Sequence, residues 1–324
     1  MRRRGVLAGL LACPWMPAAA QDGRAPRAIG WLKIQDRSET PGWLAAFVAE
    51  LETLGHVRDR SFVMVERYAD GDPSRLAALA RELVDAGVSA IVATSQPATD
   101  AAARVTASVP IVGRMTDDPV ANGMATSLAQ PGRNVTGIYS LLEEMSPKRL
   151  ALLQQTLPSL RRVGALLARD RGATAKWLSE TEAAARQMGI DIRLMEAHAP
   201  GELDNVFARA ARDGVDGLVA FRNPTIVTHY RRVIELSQRY RIPGIFDARE
   251  FAEGGALMSY GPNLDAIFVR MAFYVDRILK GARPDVLPIE QPRNFELVIN
   301  LRTARSLDLD IPPALLAGAD EVIE

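Results

Sequence analysis

Gly254-Gly255-Ala256-Leu257-Met258-Ser259-Tyr260-Gly261-Pro262-Asn263 is the stretch that decides how this chain is laid out. Gly255–Tyr260 is apolar enough for a strand, and Gly261-Pro262-Asn263 is a turn. Asn263 predicts a helix cap, because its side-chain oxygen can accept from a free N–H of the first helical turn. The helix that follows carries Ile267, Met271, Tyr274, Val275 and Ile278 on one face, and Gly281 stops it. An extended connector punctuated by Pro284, Pro288 and Pro292 comes next, then a strand over Phe295–Asn300 and a last helix. A tail of strand, helix, connector, strand and helix is what a chain needs to recross between two lobes.

Upstream of the tail the apolar pattern alternates between strand and helix periods. Ala28–Ile34, Phe62–Glu66, Ala90–Thr94, Val109–Gly113 and Val135–Tyr139 read as strands. Helices open at Thr40-Pro41, Asp72-Pro73 and Pro97, and Asp117-Asp118-Pro119 opens a turn and short helix. A helix at Ser146-Pro147 starts a second half. There, strands Val163–Leu167, Ile190–Leu194, Gly217–Phe221 and Gly244–Phe246 alternate with helices over 174–188, 202–212 and 225–240. Short loops between alternating elements imply βαβ units and parallel sheets. The fold class is therefore α/β, with two doubly wound parallel-sheet lobes joined by a multi-crossing hinge. The expected division is a leader over 1–20, an N-terminal lobe of 28–141 plus 263–289, and a C-terminal lobe of 142–262 plus 290–324.

The 324 residues suffice for two domains of ordinary size, and 48% hydrophobic with 24% charged residues is a globular balance. Equal numbers of acidic and basic residues give no electrostatic case for nucleic acid. His56, His198 and His229 are far apart, without zinc-ligand spacing, so neither metal nor cofactor is expected. Arg2-Arg3-Arg4, a short apolar core over Val6–Met16 and Ala18-Ala19-Ala20 form the three zones of an export signal cleaved near Ala20. Arg3-Arg4 fits twin-arginine export as well as the general route. Cys13 sits in a weak lipoprotein-like box inside the signal. With cleavage after Ala20, the mature chain has no cysteine and is slightly acidic.

In open parallel sheets ligands bind beyond the C-terminal ends of the strands. That rule selects Gln35, Asp36 and Ser38; Thr94, Ser95 and Gln96; Asp117 and Asp118; Tyr139; Arg169; Arg222 and Asn223; Asp247; and Tyr260. Thr94-Ser95-Gln96 places hydroxyls and free N–H groups at a helix start, which suits a carboxylate. Capping alone explains Ser95 equally well. Asp117 is a candidate for an ammonium group, Asp118 for the same role or an N-cap. Arg222 is a candidate carboxylate clamp. Arg169 reads either as a ligand contact or as the neutralising partner of Asp170 at the lobe surface. Tyr260 offers stacking or hinge packing. Trp31 and Trp43 fit apolar patterns and read as core or rim. Arg231-Arg232 and Lys148-Arg149 lie on helical segments and read as solvated faces. No phosphate loop, dinucleotide fingerprint or nucleophile elbow occurs.

Several stretches carry a resemblance. They are GGALMSYGPN, YVDRILKGARP, FELVINL, IPPALLAGADEVIE, LAALARELVDAGVSAIVA, DDPVANGMATSLAQPGRNVTGIYSL and KRLALLQQTLPSLRRVGALL. They resemble the periplasmic substrate-binding components of ABC transporters, in the branch containing tryptophan- and tyrosine-uptake binding proteins. The resemblance implies a type I periplasmic-binding-protein fold, a small-molecule ligand held between lobes, a membrane permease as partner and a monomeric, periplasmic, non-enzymatic protein. By loop it carries ligand contact onto the positions just selected at Thr94–Gln96, Asp117-Asp118, Arg222-Asn223, Asp247 and Tyr260. Gln35-Asp36-Arg37-Ser38 departs from the aromatic amino-acid binders. Two other readings stay open: an enzyme on two α/β lobes, such as a glycosyltransferase or epimerase, and an effector-type sensor domain.

Overall fold

The computed structural model describes residues 25–38, 41–142, 145–167, 173–221 and 224–324. The expected leader with Cys13, and the candidates Arg169, Arg222 and Asn223, lie outside these residues. The first sheet is built from β1 (Arg27–Lys33), β2 (Phe62–Tyr68), β3 (Ala90–Ala93), β4 (Ile111–Met115) and β5 (Val135–Tyr139). Its order is β2-β1-β3-β4-β5, with every neighbour parallel. Between the strands run α1 (Pro41–Thr53), α2 (Leu76–Asp85) and α3 (Gln96–Val105).

The second sheet begins after α4 (Ser146–Thr156). It takes in β6 (Arg162–Leu167), β7 (Asp191–Glu196), β8 (Gly217–Ala220), β9 (Gly244–Phe246) and β10 (Met258–Pro262). The intervening helices are α5 (Ala173–Met188), α6 (Leu203–Arg212), α7 (Pro224–Thr228), α8 (Tyr230–Arg239) and α9 (Arg249–Glu253). The chain then forms α10 (Leu264–Leu279), β11 (Phe295–Asn300), α11 (Leu301–Ser306), α12 (Pro313–Ala317) and β12 (Glu321–Ile323). Sheet order is β12-β11-β10-β9-β8-β6-β7.

Period-two patterning decides which helix covers which face. In β1, Ile29 and Trp31 join one apolar cluster while Leu32 joins another on the opposite side. Trp31 meets Phe47 of α1 at 5.5 Å and Phe268 of α10 at 5.4 Å, and Trp43 stacks on Phe268 at 5.0 Å. Each such ring, buried in full, contributes about 1.5–3 kcal/mol. The same alternation splits Leu218 and Ala220 of β8 from Val219 and from Phe221 just past its end.

The tail runs between the two sheets. Asn263 caps α10, its Oδ1 accepting from Ala266 N at 2.8 Å, and α10 then packs on α1 beside the first sheet. Residues 289–290 lie along β5: Glu290 N donates to Gly137 O at 3.0 Å, and Tyr139 N to Glu290 O at 2.8 Å. Arg270 grips Glu290 through Nε at 2.7 Å and Nη2 at 2.6 Å, which holds that carboxyl below its ordinary range. β11 then rejoins the second sheet, antiparallel to β10.

Several expectations are corrected. The tail strand begins at Met258 rather than Gly255. The β10–β11 pair breaks the all-parallel rule, because a chain returning from the other sheet enters from the opposite end. The helix expected over 225–240 is two helices separated at His229. Asp118-Pro119 opens turns without a helix. The short α9 and β12 had too little periodic signal to be anticipated. Arg149, expected on a solvated face, is 2% exposed; it donates through Nε to Tyr260 O at 2.8 Å and through Nη2 to Leu142 O at 3.4 Å.

Candidate functional site

The chain leaves β1 at a buried lysine. Lys33 is 3% exposed, donates to Asp36 O at 3.1 Å, and lies 5.7 Å from the Trp43 ring centre and 5.9 Å from that of Tyr68. Asp36 then folds the loop back, its Oδ1 accepting from both N and Oγ of Ser38 at 2.6 Å. This is an Asx turn, a local alternative to continued strand. Between the lysine and this turn sits Gln35, 7% exposed. Its Oε1 is buried and, among the described residues, has no hydrogen-bond partner.

Gln35, Asp36 and Ser38 open onto a cavity of about 810 Å³. Gly42 and Trp43 of α1 and Asp265 of α10 continue the wall on the first-sheet side. The facing wall comes from the second sheet's helices: Thr228 of α7, His229, Tyr230 and Arg231 at the start of α8, and Arg249, Glu250 and Phe251 of α9. That wall is anchored by aromatic packing, with Phe251 stacked on Phe246 at 4.6 Å and Tyr230 edge-on to Phe251 at 5.7 Å. Arg249 pairs within α9 with Glu253 at 2.9 Å and ties the wall to the tail through Glu296 at 3.5 Å and Glu321. Thr228 Oγ1 is a second buried polar atom with no partner among the described residues. Walls from two sheets, part aromatic and part charged, suit a small amphipathic ligand.

The other strand-end candidates group elsewhere. Gln96 Oε1 accepts from Thr116 N at 2.9 Å and Asp117 N at 3.1 Å, and its Nε2 donates to Asp100 at 2.7 Å. Burial pushes the Asp100 carboxyl up, against the opposing pull of that hydrogen bond. Ser95 Oγ accepts from Ala98 N at 3.4 Å as the cap of α3. Thr94 Oγ1 donates to Leu32 O at 3.2 Å, and its own carbonyl accepts from Arg114 Nε at 2.8 Å. Asp118 Oδ1 accepts from Val120 N at 2.8 Å and Ala121 N at 3.2 Å. Tyr139 is buried beside the connector. Asp247 is 4% exposed at the end of β9. Tyr260 stacks on Phe295 at 6.2 Å, at the crossings between sheets. The structure thus joins Gln96 to Asp117 by a hydrogen bond, turns Thr94 and Ser95 to partners of their own, and places Gln35, Asp36 and Ser38 on the large cavity.

Sequence reasoning missed Thr228 and the start of α8, because their strand-to-site geometry depends on a helix broken at His229. Tyr230-Arg231 was legible only as part of an amphipathic helix. Arg231 lies on the cavity wall, 5.6 Å from the Tyr230 ring centre.

Residues 52–323 match the family model described as ABC transporter substrate binding protein. A tyrosine-binding protein of Clostridioides difficile (strain R20291) is 21% identical over 288 residues, covering 89% of this chain and 83% of that relative. Among solved structures, the ABC domain in complex with L-Trp from Streptococcus pneumoniae superposes with a TM-score of 0.83 at 23% identity, over 92% of this chain and 100% of that one. The ligand-free, open structure of a substrate-binding protein with adhesive properties from Clostridium difficile gives 0.69 at 19% identity, over 92% and 99% of the two chains. A solute-binding protein from Bacillus halodurans with bound myo-inositol gives 0.58 at 13% identity, over 88% and 98%.

Proposed function

The chain belongs to the ABC transporter substrate-binding protein family, and on that premise we propose that it is an exported, monomeric receptor that captures an amino acid and hands it to a membrane permease. The observation that carries this reading is the cavity of about 810 Å³ walled from both sheets. Trp43, Tyr230 and Phe251 supply apolar surface, and Asp36, Asp265 and Arg231 supply both signs of charge. A zwitterion with an apolar side chain matches that mixture. The tyrosine-binding and L-Trp-bound relatives point to the same class.

The lobes are read as 28–141 plus 263–289 and 142–262 plus 290–324. The mechanism is a population shift. A ligand touching both walls binds the closed arrangement better than the open one, and only that difference can drive closure. The closed form is then the one a permease recognises. No bond is made or broken, so the protein acts as a receptor and not as an enzyme. Titration calorimetry of the refolded, ligand-stripped mature chain against the twenty common L-amino acids tests the reading. Saturable binding of at least one supports it, and no heat from any of them sinks it.

A further inference from the structure

Gln35 and Thr228 share a property that nothing in their own sheets requires. Each carries a side-chain oxygen that is buried and has no hydrogen-bond partner among the described residues, and each lines the same cavity from opposite sides. A buried polar atom without a partner is costly and therefore rare, and on the wall of a cavity a bound ligand can complete it. Gln35 is 7% exposed and stands on the loop after β1; Thr228 ends α7. Thr228 also lies near the first-sheet side of the cleft. A β-carbon built at Gly71, just past β2, would meet Thr228 Cγ2 at 3.3 Å. Gly71 N in turn donates to Ile34 O at 2.7 Å, so the residue facing Thr228 is bonded to the backbone that leads into Gln35.

The charges around the pair narrow the ligand group. Asp36, whose Oδ1 also accepts from Ser38, and Asp265 line the first-sheet wall, whereas Arg231, Arg232 and Arg249 stand on the opposite wall with Glu250 and Glu253. An amide oxygen beside two acidic residues favours a cationic N–H donor on the first-sheet side, and the Thr228 hydroxyl, which can donate or accept, can accept from the same group. We propose that Gln35 Oε1 and Thr228 Oγ1 together read the ligand's ammonium group across the cleft, making these two residues the determinants that select an amine-bearing ligand over its deaminated acid. The assignment rests on the amino-acid reading given above and specifies which atoms carry its selectivity.

A physical corollary separates this role from a structural one. Gln35→Leu removes an unpaired buried acceptor, so the unliganded protein keeps or gains thermal stability while losing ligand affinity. Thr228→Val keeps the side-chain shape and deletes only the hydroxyl. The experiment is calorimetry of the mature wild type and both variants against the twenty common L-amino acids and, for each binder, the carboxylic acid lacking its amino group. A hydrogen bond to a charged group predicts a loss of about tenfold or more for the amino acid in each variant. The deaminated acid should bind the variants as it binds the wild type, and the Gln35→Leu melting temperature should not fall. An equal loss for both probes, no loss for either, or a lowered Gln35→Leu melting temperature with unchanged affinity overturns the assignment and leaves the receptor reading standing. A wild-type chain that binds no amino acid overturns the receptor's amino-acid specificity and this assignment with it.

Discussion

Arg149 on α4 donates through Nε to the carbonyl of Tyr260 at 2.8 Å, joining the segment by which the chain first enters the second sheet to the strand from which it leaves. The same guanidinium reaches Leu142 O and Ser146 Oγ, each at 3.4 Å. One buried side chain thereby ties two of the crossings together. Arg149→Met should leave those carbonyls without their donor and cost about 2–4 kcal/mol. Urea denaturation of the two proteins measures it; a change within error would mean the crossings hold without Arg149.

Gly261 is the tightest backbone contact at the same crossings. A β-carbon there would come within 1.8 Å of Asp247 O, a backbone atom that cannot swing aside. Gly261→Ala should separate β9 from β10 and cost about 3 kcal/mol or more. Thermal unfolding gives the answer directly. A melting temperature equal to the wild type's would show that the β9–β10 pair has more room than its packing indicates.

The Arg270–Glu290 pair predicts a pH dependence with a definite sign. Glu290 is held below the usual glutamate range, chiefly by its hydrogen bond from Arg270. Its stabilising effect is full above the unfolded value of about 4.3 and is lost as pH falls from there through the lower folded value. Glu296 shifts the other way, raised by burial, so it blurs the curve of the whole protein. The informative quantity is the stability of wild type minus that of Glu290→Gln, measured from pH 6 down to pH 3. It should shrink towards acid, modestly because the pair is partly solvated. A flat difference contradicts the assignment.

Gly71 and Thr228 should govern how far the lobes close. Gly71 has φ +81°, where any side chain is strained, and a β-carbon would press on Thr228 Cγ2 at 3.3 Å. Gly71→Ala should widen the cleft, enlarging the radius of gyration in solution scattering and weakening ligand binding. Adding Thr228→Ser removes the opposing methyl but keeps the hydroxyl, and so should recover part of the affinity. If the double variant binds no better than Gly71→Ala alone, strain at position 71 rather than the contact across the cleft is responsible.

The alternation of elements was legible because most strands carry an apolar run, as in β3, β4, β5 and β8, and cap or breaker residues mark many of the helix ends. Asn263 and Ser95 cap where their sequences place them, and Phe295–Asn300 forms a strand with the expected ends. Gln35, Asp36 and Ser38 were found by the strand-end rule alone, since the end of a parallel strand is a local property. Thr228 and Phe251 escaped that rule because helices present them from the other sheet. Arg149 looked solvated because a helix pattern records its face but not what the returning tail lays over that face.

By itself the sequence determined what nearest-neighbour physics can decide: which segments are strands or helices, where they cap, and that a Pro-punctuated tail follows two α/β halves. The tertiary structure decided what depends on distant segments meeting. It reversed β11 against β10, buried Arg149 beneath two crossings, and set Gln35 across one cavity from Thr228. The reason is range. Capping and periodicity act over a few residues, whereas a cleft is defined by side chains whose separation along the chain carries no local signal.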